Sequence, residues 1–152
     1  MEIRDFRPSD IETLRRFKTE SAKVSFQKDV DLGFFTRNLE NSIKKDPSCV
    51  KVAEHEGKIA GYVWMEVKKA EDGPFGNIHH IYVDRPYRRA GLATMLLKVA
   101  ENFLASKGVS AIKATITKSN QPSLRLFSVA GYSEERVVFE KRLAGKTAHM
   151  LL

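Results

Sequence analysis

Residues 78–107 constrain the fold more than any other stretch of the chain. Residues 78–83, with Ile78, Ile81 and Val83 around two histidines, read as a strand. Asp84, Arg85, Pro86 and Tyr87 read as a turn. Leu92, Met95, Leu96, Val99 and Phe103 then recur at helical spacing as a buried stripe through residue 107, and Gly108 is a good terminator. Between strand and helix lie Arg88, Arg89, Ala90 and Gly91. A helix start has backbone N–H groups without intrahelical partners, and the helix dipole adds partial positive charge there. Gly91 and the small Ala93 leave room for close approach, and Arg88 and Arg89 add forked donors. Such a turn suits an anion, phosphate above all. It has no Gly-Lys-Ser/Thr and no Gly-x-Gly-x-x-Gly, which excludes a Walker loop and the dinucleotide fingerprint.

The rest of the chain supplies a single α/β (α+β) domain with a mixed sheet. Ile3, Arg4 and Asp5 read as a first strand. Ser9 and Glu12 have capping-box spacing before a helix carrying Ile11, Leu14 and Phe17. Asp31 is placed to cap a second helix with Leu32, Phe35, Leu39 and Ile43 on one face. Residues 50–54 and 59–67 form a hairpin about Glu56 and Gly57. Residues 70–77, with Gly73, Pro74 and Gly76, read as a loop. Ile112, Ala114 and Ile116 alternate with polar residues as a half-buried strand. Asn120 caps a short helix with Pro122 in its first turn, and Gly131 ends it. Val137, Phe139, Lys141 and Leu143 read as a last strand. The domain is expected over residues 1–145, with a tail at 146–152.

The length of 152 residues fits one domain, and 26 Lys and Arg against 19 Asp and Glu leave a net charge of +7. That excess favours anionic partners or simply a basic surface. Aromatic–basic RNA motifs and helix-turn-helix signals are missing, which counts against nucleic acid. The single cysteine, Cys49, excludes an internal disulfide, suits a reducing cytoplasm and reads as a small residue at a strand start. No apolar stretch approaches bilayer length, so no membrane role is expected. Composition leaves a homodimer open.

The segment from Val83 through Arg88, Gly91 and Ala93 resembles the acetyl-coenzyme A signature of the GNAT acetyltransferase superfamily: Arg or Gln, two residues, Gly, one residue, then Gly or Ala. Asn120, Ser123, Leu126, Phe127, Gly131 and Tyr132 resemble a second family motif at the expected distance. The opening Ile3 and Arg4 with Pro8, Ser9 and Asp10, and the closing 139–143 segment, are also family-like. The resemblance covers nearly the whole chain. It implies a GNAT fold: a mostly antiparallel central sheet flanked by helices. It implies acetyl-CoA as co-substrate, with the backbone of Ile81, Tyr82 and Val83 along the pantetheine arm. The N–H groups of Arg89, Ala90, Gly91, Leu92, Ala93 and Thr94, beside Arg88, would cradle the pyrophosphate. Asn120, Ser123 and Phe127 would lie near the pantetheine or acetyl end.

The resemblance further implies direct acetyl transfer to an amine, which must lose a proton before it attacks. His79 is the candidate base, with an ordinary pKa of about 6.5 suited to the task. Strict alternation would put Asn77, His79, Ile81 and Val83 on one face and His80 on the other. The arylalkylamine N-acetyltransferases, which resemble the chain here, carry histidines at the positions of both His79 and Asn77. Phe127 stands where many family members have a Tyr, so no general acid is assigned, and Tyr132 reads as core. The acceptor, a small molecule or a peptide, would sit against residues 21–37 and 70–77. Phe26, Phe34, Phe35 and Trp64 could line that place, and Glu66 or Asp31 could hold an ammonium. An N-acetyltransferase is one reading, and an acetyl-CoA-binding sensor or regulator without turnover is the alternative that Phe127 keeps open.

Overall fold

In the computed structural model, residues 1–24 and 30–144 are described. Phe26, one of the expected acceptor-lining residues, and the tail expected at 146–152 lie outside them. Strands β1 (Glu2–Asp5), β2 (Val50–His55), β3 (Lys58–Ala70), β4 (Gly73–Val83) and β5 (Ile112–Ala114) form one sheet in sequential order. Every pairing is antiparallel except β4 with β5, which is parallel. Helices α1 (Ile11–Val24), α2 (Leu32–Lys45), α3 (Leu92–Ser106) and α4 (Gln121–Val129) cover the two faces.

Each face carries its own core. On one, Leu14 and Phe17 of α1 and Phe35 and Leu39 of α2 pack on Val50, Val52, Tyr62, Trp64 and Tyr82. On the other, Leu92, Leu96, Leu97, Ala100 and Leu104 of α3, joined by Phe127 of α4, pack on Val63, Met65, Ile78 and Val83. The buried stripe of α3 is therefore rotated from the expected one. Met95 is exposed, while Leu97 and Ala100 point inward.

Local signals are realised where local chemistry suffices. The Asp31 carboxylate accepts from Phe34 N–H at 2.8 Å and starts α2. Glu56 and Gly57 take φ of 49° and 78°, the two left-handed positions a tight hairpin needs. At the first helix the expected Ser9–Glu12 box is replaced. Asp10 accepts the Arg7 N–H at 2.7 Å, and a short 3-10 turn over Pro8–Asp10 leads into α1. Asp10 is buried, and the guanidinium of Arg4 grips both its oxygens at 2.9 and 3.0 Å while also reaching Glu54 at 3.0 Å. Truncating Asp10 would strand a largely buried guanidinium with one partner. Asp10→Ala should therefore cost about 3 kcal/mol, a lower urea midpoint at unchanged m-value.

Two expectations fail for long-range reasons. Residues 73–77 are not a loop: β4 begins at Gly73 and pairs back along β3 from Ala70 to Val67. Gly76 marks a close approach, since a Cβ there would lie 2.8 Å from the Leu104 side chain. Nor do residues 137–143 pair as a strand in the sheet. Val137, Val138, Phe139 and Leu143 are all exposed.

Candidate active site

The hairpin β3–β4 positions the central groups, and a bulge decides where they point. Trp64 pairs with His80, but Met65 pairs with Ile78, so His79 is an extra residue in β4. Strict alternation is broken there. Ile81 and Val83 face α3, as alternation requires of them. His79 instead turns to the α1/α2 face with His80, contrary to the expected grouping of His79 with Ile81 and Val83. Its ring stacks on Trp64 at 4.3 Å and 14°.

His79 Nε2 lies 2.8 Å from Glu66 Oε2. The other Glu66 oxygen, Oε1, accepts from the Ser42 hydroxyl of α2, and Lys68 Nζ lies 3.4 Å from the same Oε2 that His79 meets. Burial alone would raise the Glu66 carboxyl, but Ser42 and His79 outweigh it and hold the group below the usual range. Burial lowers the His79 pKa against the pull of Glu66. A neutral imidazole beside a carboxylate donates its Nε2–H to it, which leaves the lone pair on Nδ1. The Ser42–Glu66–His79 chain is thus built to orient one basic nitrogen. In the sequence Glu66 is a candidate to hold an ammonium, with no sign of a link to His79. Its pairing with His79 needs the hairpin register.

His80 is a different kind of histidine. Its Nδ1 meets the Tyr62 hydroxyl, and burial pushes its pKa down to about 3. Unfolding frees it to bind a proton near pH 6.5, which the folded state refuses. Stability contributed by His80 is therefore complete above about pH 6.5 and falls as pH drops, by about 1.4 kcal/mol per pH unit. Urea midpoints of the wild type should fall from pH 7 to pH 5, and those of His80→Gln should fall less.

The turn into α3 forms the second half of the site. Arg89 and Gly91 both take left-handed backbone, φ 64° and 79°. Gly91 has no side chain to cap the helix, and Met95 is the first residue to bond back, to Gly91 O at 3.0 Å. The N–H groups of Leu92, Ala93 and Thr94 precede that first intrahelical bond. A cleft of about 210 Å³ opens at this point, lined by Val83, Tyr87, Arg88, Arg89, Gly91 and the first residues of α3. Nothing lies within 4 Å of where a Gly91 Cβ would be. Arg88 is less free than its sequence position implies: its Nε donates to Val83 O at 2.8 Å and its guanidinium lies over Tyr82.

Between these halves runs β4. Its pairing with β5 covers only Gly76, Asn77 and Ile78, after which β5 ends and β4 continues for five residues. One edge of residues 79–83 therefore has no strand partner among the described residues. Asn120 caps α4, its side chain accepting from Ser123 N–H at 3.3 Å. Phe127 is buried edge-on against Tyr132 at 5.0 Å, and the Tyr132 hydroxyl donates to Glu101 at 2.9 Å, so both are core residues. Asp31 is occupied as a helix cap. Phe35 packs edge-on to Trp64 at 6.0 Å, and Phe34 is exposed. Cys49 is buried, and its thiol is pushed up to about 12, mainly by burial, so it is no nucleophile.

An uncapped strand-to-helix turn with a left-handed Gly91 thus follows an open strand edge, and His79 of the same strand is held by Glu66. Residues 12–132 match the model of the acetyltransferase (GNAT) family, and the chain belongs to that family. A mycothiol acetyltransferase of Thermomonospora curvata is 28% identical over 92 residues, 60% of this chain and 30% of that one. The chain thus spans under a third of that relative. An uncharacterized N-acetyltransferase of Methanocaldococcus jannaschii is 25% identical over 153 residues, 100% of this chain and 90% of that one. Two solved structures share the fold. An aminoglycoside N-acetyltransferase in complex with CoA has a TM-score of 0.71 at 19% identity, covering 94% of this chain and 100% of that one. A predicted acetyltransferase with acetyl-CoA from Clostridium acetobutylicum has a TM-score of 0.76 at 18% identity, covering 93% and 95%. No helix among the described residues is long and apolar enough to cross a membrane.

Proposed function

We propose that this protein is an acetyl-CoA-dependent N-acetyltransferase acting on a primary amine of a small molecule or peptide. The observation that carries the reading is the uncapped start of α3 with open space at Gly91, beside the unpartnered edge of β4. The cradle fits a pyrophosphate: N–H groups of the first helical turn, positive dipole, the Arg89 cation and no side chain in the way. The backbone of Ile81, Tyr82 and Val83 offers amide groups to an extended arm such as pantetheine, much as a sheet edge takes a strand. Acetyl-CoA, when bound, supplies an acetyl group activated as a thioester.

The remaining chemistry belongs to the chain. His79 accepts the proton that the ammonium must lose, through Nδ1, while Glu66 holds Nε2–H and fixes the tautomer. The Glu66 charge also draws an ammonium toward the base. Trp64 and Phe35 present an apolar wall beside it. Ser123 and Asn120, at the start of α4, bound the cofactor's reactive end. Phe127 offers no hydroxyl, and the Tyr132 hydroxyl is committed to Glu101. A thiol of ordinary pKa about 8.5 needs little help to leave.

The buried Phe127 is also the observation that favours the second reading, an acetyl-CoA sensor without turnover. Release of free thiol from acetyl-CoA over a panel of primary amines separates the two. Amine-dependent release is expected for at least one class. Saturable acetyl-CoA binding with no release over polyamines, aromatic amines, aminoglycosides and peptides would replace the enzyme by the sensor.

A further inference from the structure

His79 is the extra residue of a bulge, left unpaired in the ladder, so the pleat does not fix where its side chain points. Glu66 holds the ring by one edge, at Nε2. That bond places one nitrogen and leaves the plane of the ring soft, because χ2 of a histidine is a broad torsion. A base needs the plane as well. The Nδ1 lone pair lies in it and must point at the proton it takes. Across the face of the ring lies Trp64 of β3, with ring centroids 4.3 Å apart and 14° between the planes. Trp64 is itself held. It is buried in the α1/α2 core, and Phe35 of α2 packs on it edge-on at 6.0 Å and 77°.

The stack also has an electrostatic consequence. A neutral imidazole on an indole gains little beyond dispersion. An imidazolium over the same face gains the attraction of a cation for the ring quadrupole, and indole is the best such partner among the side chains. That attraction grows as His79 takes a proton, so it acts on the state the reaction must reach. The charged and titratable groups about the ring pull both ways. On β3, Glu66 favours the charged ring and Lys68 opposes it. On β4, His80 is neutral near pH 7, and Lys18 of α1 bears on His80. Cys49, just before β2, keeps its thiol proton. From α2 the Ser42 hydroxyl acts through Glu66. Burial opposes the charge on His79. A stacked indole offsets part of that opposition without adding a charge of its own.

We propose, on the reading of His79 as the base, that Trp64 is a positioning residue for it: the indole fixes the plane of the His79 ring and stabilises the imidazolium formed when Nδ1 takes the proton of the acceptor ammonium. The packing of Trp64 against Phe35 ties that ring plane to α2, as the Ser42–Glu66 bond ties its edge.

Trp64 is the one tryptophan of the chain, so its fluorescence reports on the stack directly. A protonated imidazole in face contact quenches an indole. Wild-type fluorescence should therefore fall as pH drops through the lowered pKa of His79, and the fall should be absent in His79→Ala. NMR titration of the His79 ring needs no substrate. Its midpoint should lie about half to one pH unit lower in Trp64→Leu than in the wild type, with Trp64→Phe between them. The acid limb of kcat/KM on an accepted amine should move with that midpoint. Circular dichroism checks each fold, and the fluorescence comparison stands even where Trp64→Leu does not fold. Fluorescence that stays flat across the His79 titration, the same fall in His79→Ala, or one His79 midpoint shared by the wild type and both Trp64 variants would overturn the proposal while leaving His79 as the base. An acid limb that persists in His79→Ala would reject the base, and the proposal with it.

Discussion

His79→Ala should lower kcat/KM for an accepted amine by about 100-fold to 1,000-fold, the range typical of losing one positioned general base. Acetyl-CoA affinity should stay near that of the wild type, because His79 is not among the residues that line the cleft at the start of α3. The pH profile carries the sharper prediction. Burial keeps the His79 pKa below its ordinary value, so the imidazole is neutral at pH 7 and the base is already in its active form. The wild-type rate should therefore fall only on the acid side, as pH drops through that lowered pKa. The His79→Ala variant should lose this limb. Glu66→Gln removes the negative charge that opposes the shift, so its acid limb should move further toward low pH. A variant series with unchanged acid limbs would reject His79 as the base, even if the rates fell.

Gly91→Glu should abolish acetyl-CoA binding in calorimetry, a loss of more than about 100-fold. Two effects add. The residue sits at φ 79°, which a side chain tolerates poorly, at a cost of about 1 kcal/mol. The larger effect is charge. Nothing occupies the space at the Gly91 Cβ, so a carboxylate would enter the cleft that the phosphates need. Gly91→Ala separates the two effects, since it carries the strain without the charge and should weaken binding far less. Equal losses for both variants would mean that the backbone, not the anion cradle, is what matters there.

Much of this was legible from local patterns. Asp31 and Asn120 cap their helices as expected because a cap is decided within three residues. The hairpin turn was legible from Gly57, which takes positive φ freely, whereas Glu56 at φ 49° is held there by the turn itself. The α3 start was visible because Gly91, its small neighbours and the strand before it are contiguous. Long-range structure was not legible in the same way. The bulge that turns His79 toward Trp64 depends on how β3 and β4 are registered along their whole length. The Ser42–Glu66–His79 chain joins three elements that no sequence spacing brings together. Gly73 and Gly76 carry turn composition, yet one opens a strand and the other makes room for Leu104. Met95 satisfies the helical period but falls on the outer edge of the stripe, and only the neighbouring sheet decides that. The 137–143 segment has the pattern of a strand but finds no partner in the described chain.

Hydrogen exchange on the wild type, with and without acetyl-CoA, tests the central claim most directly. The account predicts slower exchange confined to two adjoining stretches: residues 79–83, along the unpartnered edge of β4, and residues 89–94, at the start of α3. Saturable binding that leaves both stretches unchanged, or that protects a different part of the chain, would contradict it.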